Sequence, residues 1–453
     1  MAAGTVDRSA AFEYRLESMA QRLGVLFDFD GTIADSIEAV QHATNDALRD
    51  RGLPTTDDAG ILYGMQFETT ERFAYHSGRK EPDLLEALKE EFYFYLSERS
   101  ELVKEYEGAL DLVREFRSLG IATGIVSNNS SRLIHTVLSR WKAKELFDVV
   151  LGEDDIYPRK PDPSGLFEAL EHLEVAPLGA AYVGDSDSDA KAARDAGVYS
   201  VGVNWSHHKY GLTPSTWFPR SVETLEALRE RLLEWRSLVG NLPEPVVRGE
   251  VKKRLFIMRH CESEANRLDI LAAREDYPLS NRGREQAERI AGRFLEAHEI
   301  DRILSSPLSR ARQTAEPFAR QTGLGVEVNE ALVEHELGVF TGLSKREIAE
   351  RGDYPTEKAG RWQWRPEGGE TYEEIYERVV AFLLKEVIAG PGESILITSH
   401  AVTMRMIRAF LENNAPLYPE EIARNGEIWE IHFSGVGRPQ PVREHLLASE
   451  SEQ

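Results

Sequence analysis

Val25-Leu26-Phe27-Asp28-Phe29-Asp30-Gly31-Thr32 is the stretch that most restricts what this chain can fold into. An apolar, β-leaning run of this kind forms a buried parallel strand, and here it stops abruptly in two carboxylates and a glycine. The acids therefore lie at a strand's carboxyl end, the edge of an open α/β sheet where ligands bind. Asp28 and Asp30 fall on one side of an extended strand, while a turn at Gly31 lets the second swing over the site. Carboxylates this close repel, so the pair calls for a divalent cation or a shared proton. It also suits a carboxylate nucleophile with an acid/base neighbour. Taken alone, the pattern is also open to a plain Asp-rich loop after a strand.

The rest of the chain supplies the frame. At 453 residues it is too long for one ordinary domain. A net charge of -23 argues against nonspecific binding to nucleic acid or to an anionic membrane. The single cysteine, Cys261, excludes an intramolecular disulfide and fits a reducing compartment. No run approaches a membrane span, and the first residues scatter charges where a signal peptide has its apolar centre, so a cytoplasmic protein is expected.

Residues up to Gln21 read as a short amphipathic helix. Ile37 to Arg51 and Leu84 to Val103 carry apolar residues at helical spacing, which predicts a helical insert, a cap at about 37–105, above the first acids. From Gly108 the pattern alternates. Helices are predicted at Ala109–Leu119, Ser131–Trp141, Ser164–Leu173 and Ala190–Ala196; strands at Ile121–Val126, Val149–Leu151 and Ala180–Val183, with a last one at Tyr199–Val203. Alternation implies a parallel sheet covered on both faces. The first domain then spans 1–240, and Asn241-Leu242-Pro243-Glu244-Pro245 opens a linker over 241–252. A second α/β domain over 253–453 begins with the strand Leu255-Phe256-Ile257-Met258 and continues through Arg302-Ile303-Leu304 and Ser394-Ile395-Leu396-Ile397-Thr398.

Each half carries further chemistry at strand ends. Ser127 closes the strand Ile121–Val126, where a hydroxyl and following N–H groups can hold a phosphate oxygen. Lys160, followed by Pro161, can neutralise phosphate charge. Val183-Gly184-Asp185-Ser186-Asp187-Ser188-Asp189 packs three acids after an apolar strand, unfavourable without a cation, and hard oxygen ligands beside a phosphate favour magnesium. In the second half Met258-Arg259-His260-Cys261 places an Arg-His pair at a strand end, suited to a neutral histidine nucleophile with arginines clamping phosphate. Ser306-Pro307-Leu308-Ser309-Arg310-Ala311, Glu334 and Ser399-His400-Ala401 follow in order.

With these motifs in place, the first half resembles the haloacid dehalogenase (HAD) phosphatase superfamily, most closely its phosphoglycolate phosphatase-like group, whose core is Rossmann-like and often carries a helical cap. The resemblance implies that Asp28 attacks phosphorus and that Asp30 protonates the leaving oxygen and later activates water. It implies that Asp28, the main-chain carbonyl of Asp30 and Asp185 bind magnesium, that Asp189 supports the site, and that Ser127 and Lys160 hold the phosphoryl group. The second half resembles the histidine phosphatase superfamily, which includes phosphoglycerate mutases. There the resemblance implies His260 as nucleophile, Glu334 as proton donor, and Arg259, Arg310 and His400 as phosphoryl ligands with Asn266 assisting, without a metal. Cys261 stands where that family usually has glycine; it is either a buried apolar residue or an oxidisable group that could hinder the site.

The fold class expected is α/β, with two doubly wound domains, and the activity that of a bifunctional phosphatase acting on small phosphorylated metabolites. Three alternatives stay open. The second half could be a phosphoglycerate mutase or a protein phosphatase, or one half could sense a phosphorylated metabolite and regulate the other.

Overall fold

The computed structural model describes residues 22–64, 67–355, 359–435 and 442–445, and the chain divides into two compact units, Met1–Gly240 and Asn241–Gln453. The helix expected before Gln21 lies outside the described residues.

In the first unit β1 (Gly24–Phe27) carries Val25 and Leu26 with no exposed surface, as a strand covered on both faces requires. Next, β2 (Ala34–Asp35) pairs antiparallel with β3 (Lys104–Glu105) and so closes the base of the helical insert. Between them lie α1 (Ile37–Asp50), α2 (Asp58–Gly64), α3 (Thr69–Ser77) and α4 (Pro82–Glu98). Ala39, Val40, Ala43, Ala47 and Leu48 form the buried stripe of α1, at the spacing of one helix face. The last helix ends at Glu98, short of the expected Val103, because Ser100–Leu102 tightens into a 3-10 turn.

The remaining strands are β4 (Ala122–Val126), β5 (Val149–Leu151), β6 (Ala180–Gly184), β7 (Tyr199–Val203) and β8 (Ser221–Val222). With β1 they form a parallel sheet of order β5-β4-β1-β6-β7-β8. The chain therefore runs outward from β1 on one side and then returns to its other side, which makes β1 the switch point where open α/β sheets bind ligands. Phe27 is in register with Ile125 and with Val183, so Asp28, Ser127 and Asp185 emerge at the same edge. Tyr199–Val203 is not the last strand, as expected; β8 follows it, and two residues are too few to show a period. Helix α5 (Asp187–Ala196) starts before the expected Ala190, because Ser186 caps it and Asp189 returns the bond to the Ser186 N–H.

The second unit starts with a one-turn helix, Glu244–Val247, whose Pro245 sits in the first turn, where a missing N–H leaves no helical bond unmade. Its strands are β9 (Lys253–Arg259), β10 (Arg302–Ser305), β11 (Val326–Val328), β12 (Ser394–Ser399), β13 (Ile428–Phe433) and β14 (Val442–His445), in the order β11-β10-β12-β9-β13-β14. The first four pair parallel, but β13 runs antiparallel to both β9 and β14, so this sheet is mixed at one edge. Phe256, Met258, Cys261, Ile290, Phe294 and Phe318 share its core. Among the described residues no helix is long and apolar enough to cross a membrane.

Candidate active sites

At the first site the side chains converge on Lys160. Its ammonium, only 6% exposed, donates to Asp28 Oδ1 at 2.8 Å, Asp189 Oδ1 at 2.5 Å, the Tyr182 hydroxyl at 2.8 Å and the Val126 carbonyl at 3.0 Å. Burial by itself lowers the lysine pKa, yet the charges of Asp189 and Asp28 raise it above its ordinary value. Asn128 fixes the lysine's own backbone, accepting its N–H at 3.1 Å and donating to its carbonyl at 3.0 Å.

The acids differ in how they are held. Asp189 has both oxygens engaged, Oδ1 by Lys160 and Tyr182 and Oδ2 by the Ser186 N–H and hydroxyl, and despite burial it stays below the usual carboxylate range. Among the described residues Asp185 accepts only from the Ser206 hydroxyl, at 2.9 Å, and burial with the charges of Asp189 and Asp28 pushes it well up. Burial also lifts Asp28, to about 7 against the pull of Lys160, with Asp189 and Asp30 adding to the rise. Asp30 accepts the Asn129 amide at 2.8 Å through Oδ2, leaves Oδ1 buried without a partner, and is raised mainly by burial.

One oxygen each from Asp28, Asp185 and Asp189 lie within 4.8 Å of one another. This is a hard-oxygen set whose negative charge Lys160 offsets only in part, and it fits a magnesium ion. The Asp30 side chain is outside that group. Gly31 keeps the cradle closed, since at its φ of +78° a Cβ would sit 1.9 Å from Asp185 Oδ2. Ser127 is buried at the end of β4, its hydroxyl accepting the Asn129 N–H at 3.3 Å. Sequence reasoning missed Asn128, Asn129, Tyr182 and Ser206. The polar run after β4 could have flagged the two asparagines, whereas Tyr182 reads as one more strand residue and Ser206 lies in a distant segment.

At the second site β9 and β12 place Arg259-His260 and Ser399-His400 side by side, with Arg259 in register with Ser399. His260 Nδ1 lies 2.7 Å from the Cys261 carbonyl, which requires the proton on Nδ1 and leaves Nε2 free. Burial, then Arg259 and Arg310, hold His260 well below the ordinary imidazole value. The His400 ring lies 5.2 Å away, its Nε2 bonded to the Ser306 hydroxyl at 2.8 Å and its Nδ1 buried without a partner. Burial and the surrounding Arg310, His260 and Arg259 keep it neutral too.

Main-chain carbonyls aim the arginines. Arg310 donates to Glu275 O at 2.8 Å and Ala273 O at 2.7 Å, and Arg259 to Ala423 O at 2.6 Å, with its Nε buried and unpartnered. Glu334 is reached by the N–H groups of His335 at 2.9 Å and Val402 at 3.2 Å. The Asn266 oxygen is occupied by Ser263, in whose helix cap it takes part, and by Asn425 at 3.1 Å, so only its amide nitrogen remains for a ligand. Asn425 also donates to the His260 carbonyl at 3.0 Å; it was not singled out in advance, and Ser306 stood only as the first residue of the Arg310 motif, without a role of its own. Cys261 is wholly buried in the apolar core, its N–H bonded to Thr314 at 3.0 Å and its thiol pushed up to about 12 by burial. Of the two readings of Cys261, burial favours the apolar core residue, since a thiol shut away from solvent in apolar surroundings reacts poorly.

The family model of haloacid dehalogenase-like hydrolases matches residues 25–203, and that of the histidine phosphatase superfamily (branch 1) matches residues 255–439. A phosphoglycolate phosphatase of Pseudomonas putida is 30% identical over 44% of this chain and 75% of its own length. A pyrophosphatase of Bacillus cereus is 31% identical over 40% of this chain and 83% of its own length. A mycobacterial glucosyl-3-phosphoglycerate phosphatase structure is 25% identical, covering 43% of this chain and 98% of that one, with a TM-score of 0.36. The chain belongs to the haloacid dehalogenase-like hydrolases in its first half, and its second half matches the model of the histidine phosphatase superfamily.

Proposed function

We propose that the chain is a bifunctional phosphatase that hydrolyses phosphate monoesters of small metabolites at two sites. The observation that carries this reading is common to both halves. Just beyond an inner strand of each sheet stands a side chain with one atom held, Asp28 Oδ1 by Lys160 and His260 Nδ1 by the Cys261 carbonyl, which supports reading each as a nucleophile through its other atom.

At the first site Asp28 Oδ2 attacks phosphorus and forms an aspartyl-phosphate, while Asp30 gives its proton to the leaving oxygen. Asp30 then takes a proton from the water that hydrolyses the acyl phosphate. Lys160 and Ser127 hold the phosphoryl oxygens. Asp28, Asp185 and the Asp30 carbonyl would hold magnesium, which when bound offsets the charge shared by carboxylates and phosphate. Asp189 keeps Lys160 in place.

At the second site His260 Nε2 is the nucleophile and forms a phosphohistidine, with Glu334 protonating the leaving oxygen. Arg259, Arg310, His400 and the Asn266 amide receive the phosphoryl group, so cationic side chains do the electrostatic work here. The lone buried cysteine suits the cytoplasm, and the acidic chain favours small substrates drawn in by local charge.

The test is phosphate release from a panel of phosphorylated metabolites, with and without EDTA, in the full chain and in D28N and H260A. D28N should remove the EDTA-sensitive fraction and H260A the resistant one, each by roughly 1,000-fold or more. A release that survives both substitutions rejects the assignment.

A further inference from the structure

The helical insert carries a buried cation whose hydrogen bonds are incomplete among the described residues. Arg72, on α3, is 6% exposed, yet Nε and one terminal nitrogen are buried with no hydrogen-bond acceptor among the described residues, and it makes no ion pair there. Its guanidinium lies 4.3 Å from the Phe92 ring centroid. Stacking uses the face of the guanidinium, whereas its N–H groups point outward in the plane and still need acceptors. A structural role on Phe92 therefore leaves the donors unexplained.

The surroundings aim this cation at the first site. Arg159, next to Lys160 in the chain, bonds Glu68 at 2.7 Å and Glu153 at 2.7 Å, which pins the start of α3 to the loop carrying the catalytic lysine. Arg72 follows one turn after Glu68, its N–H donating to the Glu68 carbonyl at 2.7 Å. Arg72 and Asp30 lie close enough for each to shift the other's proton affinity, and burial brings the guanidinium down to about 10. Neither nearby carboxylate serves it: Glu153 pairs with Arg159, and Asp30, bonded to Asn129 through Oδ2, makes no hydrogen bond to Arg72 among the described residues. Gly64 admits this packing, since a Cβ there would lie 3.0 Å from Arg72 Cγ and 2.5 Å from His76 Nε2, itself buried and unpartnered.

We propose that Arg72 receives a second anionic group, a carboxylate or a further phosphate, on the substrate whose phosphoryl group is transferred to Asp28. The proposal deepens, and rests on, the phosphatase reading of that site. A planar fork of donors matches either anion, and its arrival supplies the acceptors that the guanidinium lacks.

Three probes separate the cases in the full chain with magnesium. These are 2-phosphoglycolate, which adds a carboxylate; pyrophosphate, which adds a phosphate; and ethyl phosphate, which adds neither. The wild type should favour one of the first two over ethyl phosphate in kcat/KM, and which one identifies the anion. R72M, which keeps an apolar stem on Phe92, should shrink that preference about 10- to 100-fold, chiefly through KM, and R72K by less. Calorimetric binding to D28N should show the same ordering without turnover. No preference in the wild type, or a preference that R72M and R72K leave unmoved, overturns the proposal while the phosphatase reading stands. If nothing is hydrolysed but D28N still binds the anionic probe more tightly and D28N/R72M does not, the phosphatase reading fails and the receptor role of Arg72 stands.

Discussion

Lys160 shows how much one residue decides. Replacing it by methionine leaves Asp28 and Asp189 buried without their cation, a change that costs about 3–5 kcal/mol. K160M should therefore lower the melting temperature and cut the EDTA-sensitive kcat by roughly 100- to 1,000-fold, and an unchanged melting temperature would contradict the buried-hub geometry. The two histidines give a pH dependence with a definite sign. His260 and His400 are held well below the ordinary value of 6.5, so below that pH the unfolded chain takes up protons that the folded chain refuses. Stability is complete above about 6.5 and drains as the pH falls, and H400N should flatten the dependence in a melting series. Asp28, Lys160, Asp185 and His260 were legible in the sequence because each is a reactive group beside a strand end or a proline. Tyr182, Ser206 and Asn425 were not, since a tyrosine in a strand and polar residues in remote loops carry no local mark of their contacts.

At the scale of elements, the start of α5 joins stability to chemistry. Ser186 caps the helix and also holds Asp189, which in turn holds Lys160. S186A should cost about 1 kcal/mol of stability and reduce the EDTA-sensitive activity as well. Loss of stability alone, with kcat intact, would make the serine a cap and nothing more. The sequence pattern placed most helices and strands through their apolar spacing, because burial on one face imposes that spacing directly. It failed where an element is short or its signal ambiguous. The first turn of α5 looks like an acidic loop, β8 has two residues, and the 3-10 turn after α4 continues a helical pattern with altered geometry.

The whole molecule consists of two units, each with its own sheet and core. Scanning calorimetry should accordingly show two transitions: K160M lowers only one, which magnesium raises, and H400N lowers only the other. Transitions that always move together would show the units unfolding as one. By itself the sequence determined the α/β class, the split into two halves and the strand ends bearing Asp28 and His260, because apolar period and strand-end chemistry are properties of neighbouring residues. Only the tertiary structure decided which distant side chains meet. Lys160 reaches Asp28 across 132 residues, β13 turns the second sheet's edge antiparallel, and α3 buries Arg72 with two side-chain nitrogens unpaired among the described residues. Such contacts depend on packing between segments far apart in the chain, and no local pattern encodes their partners.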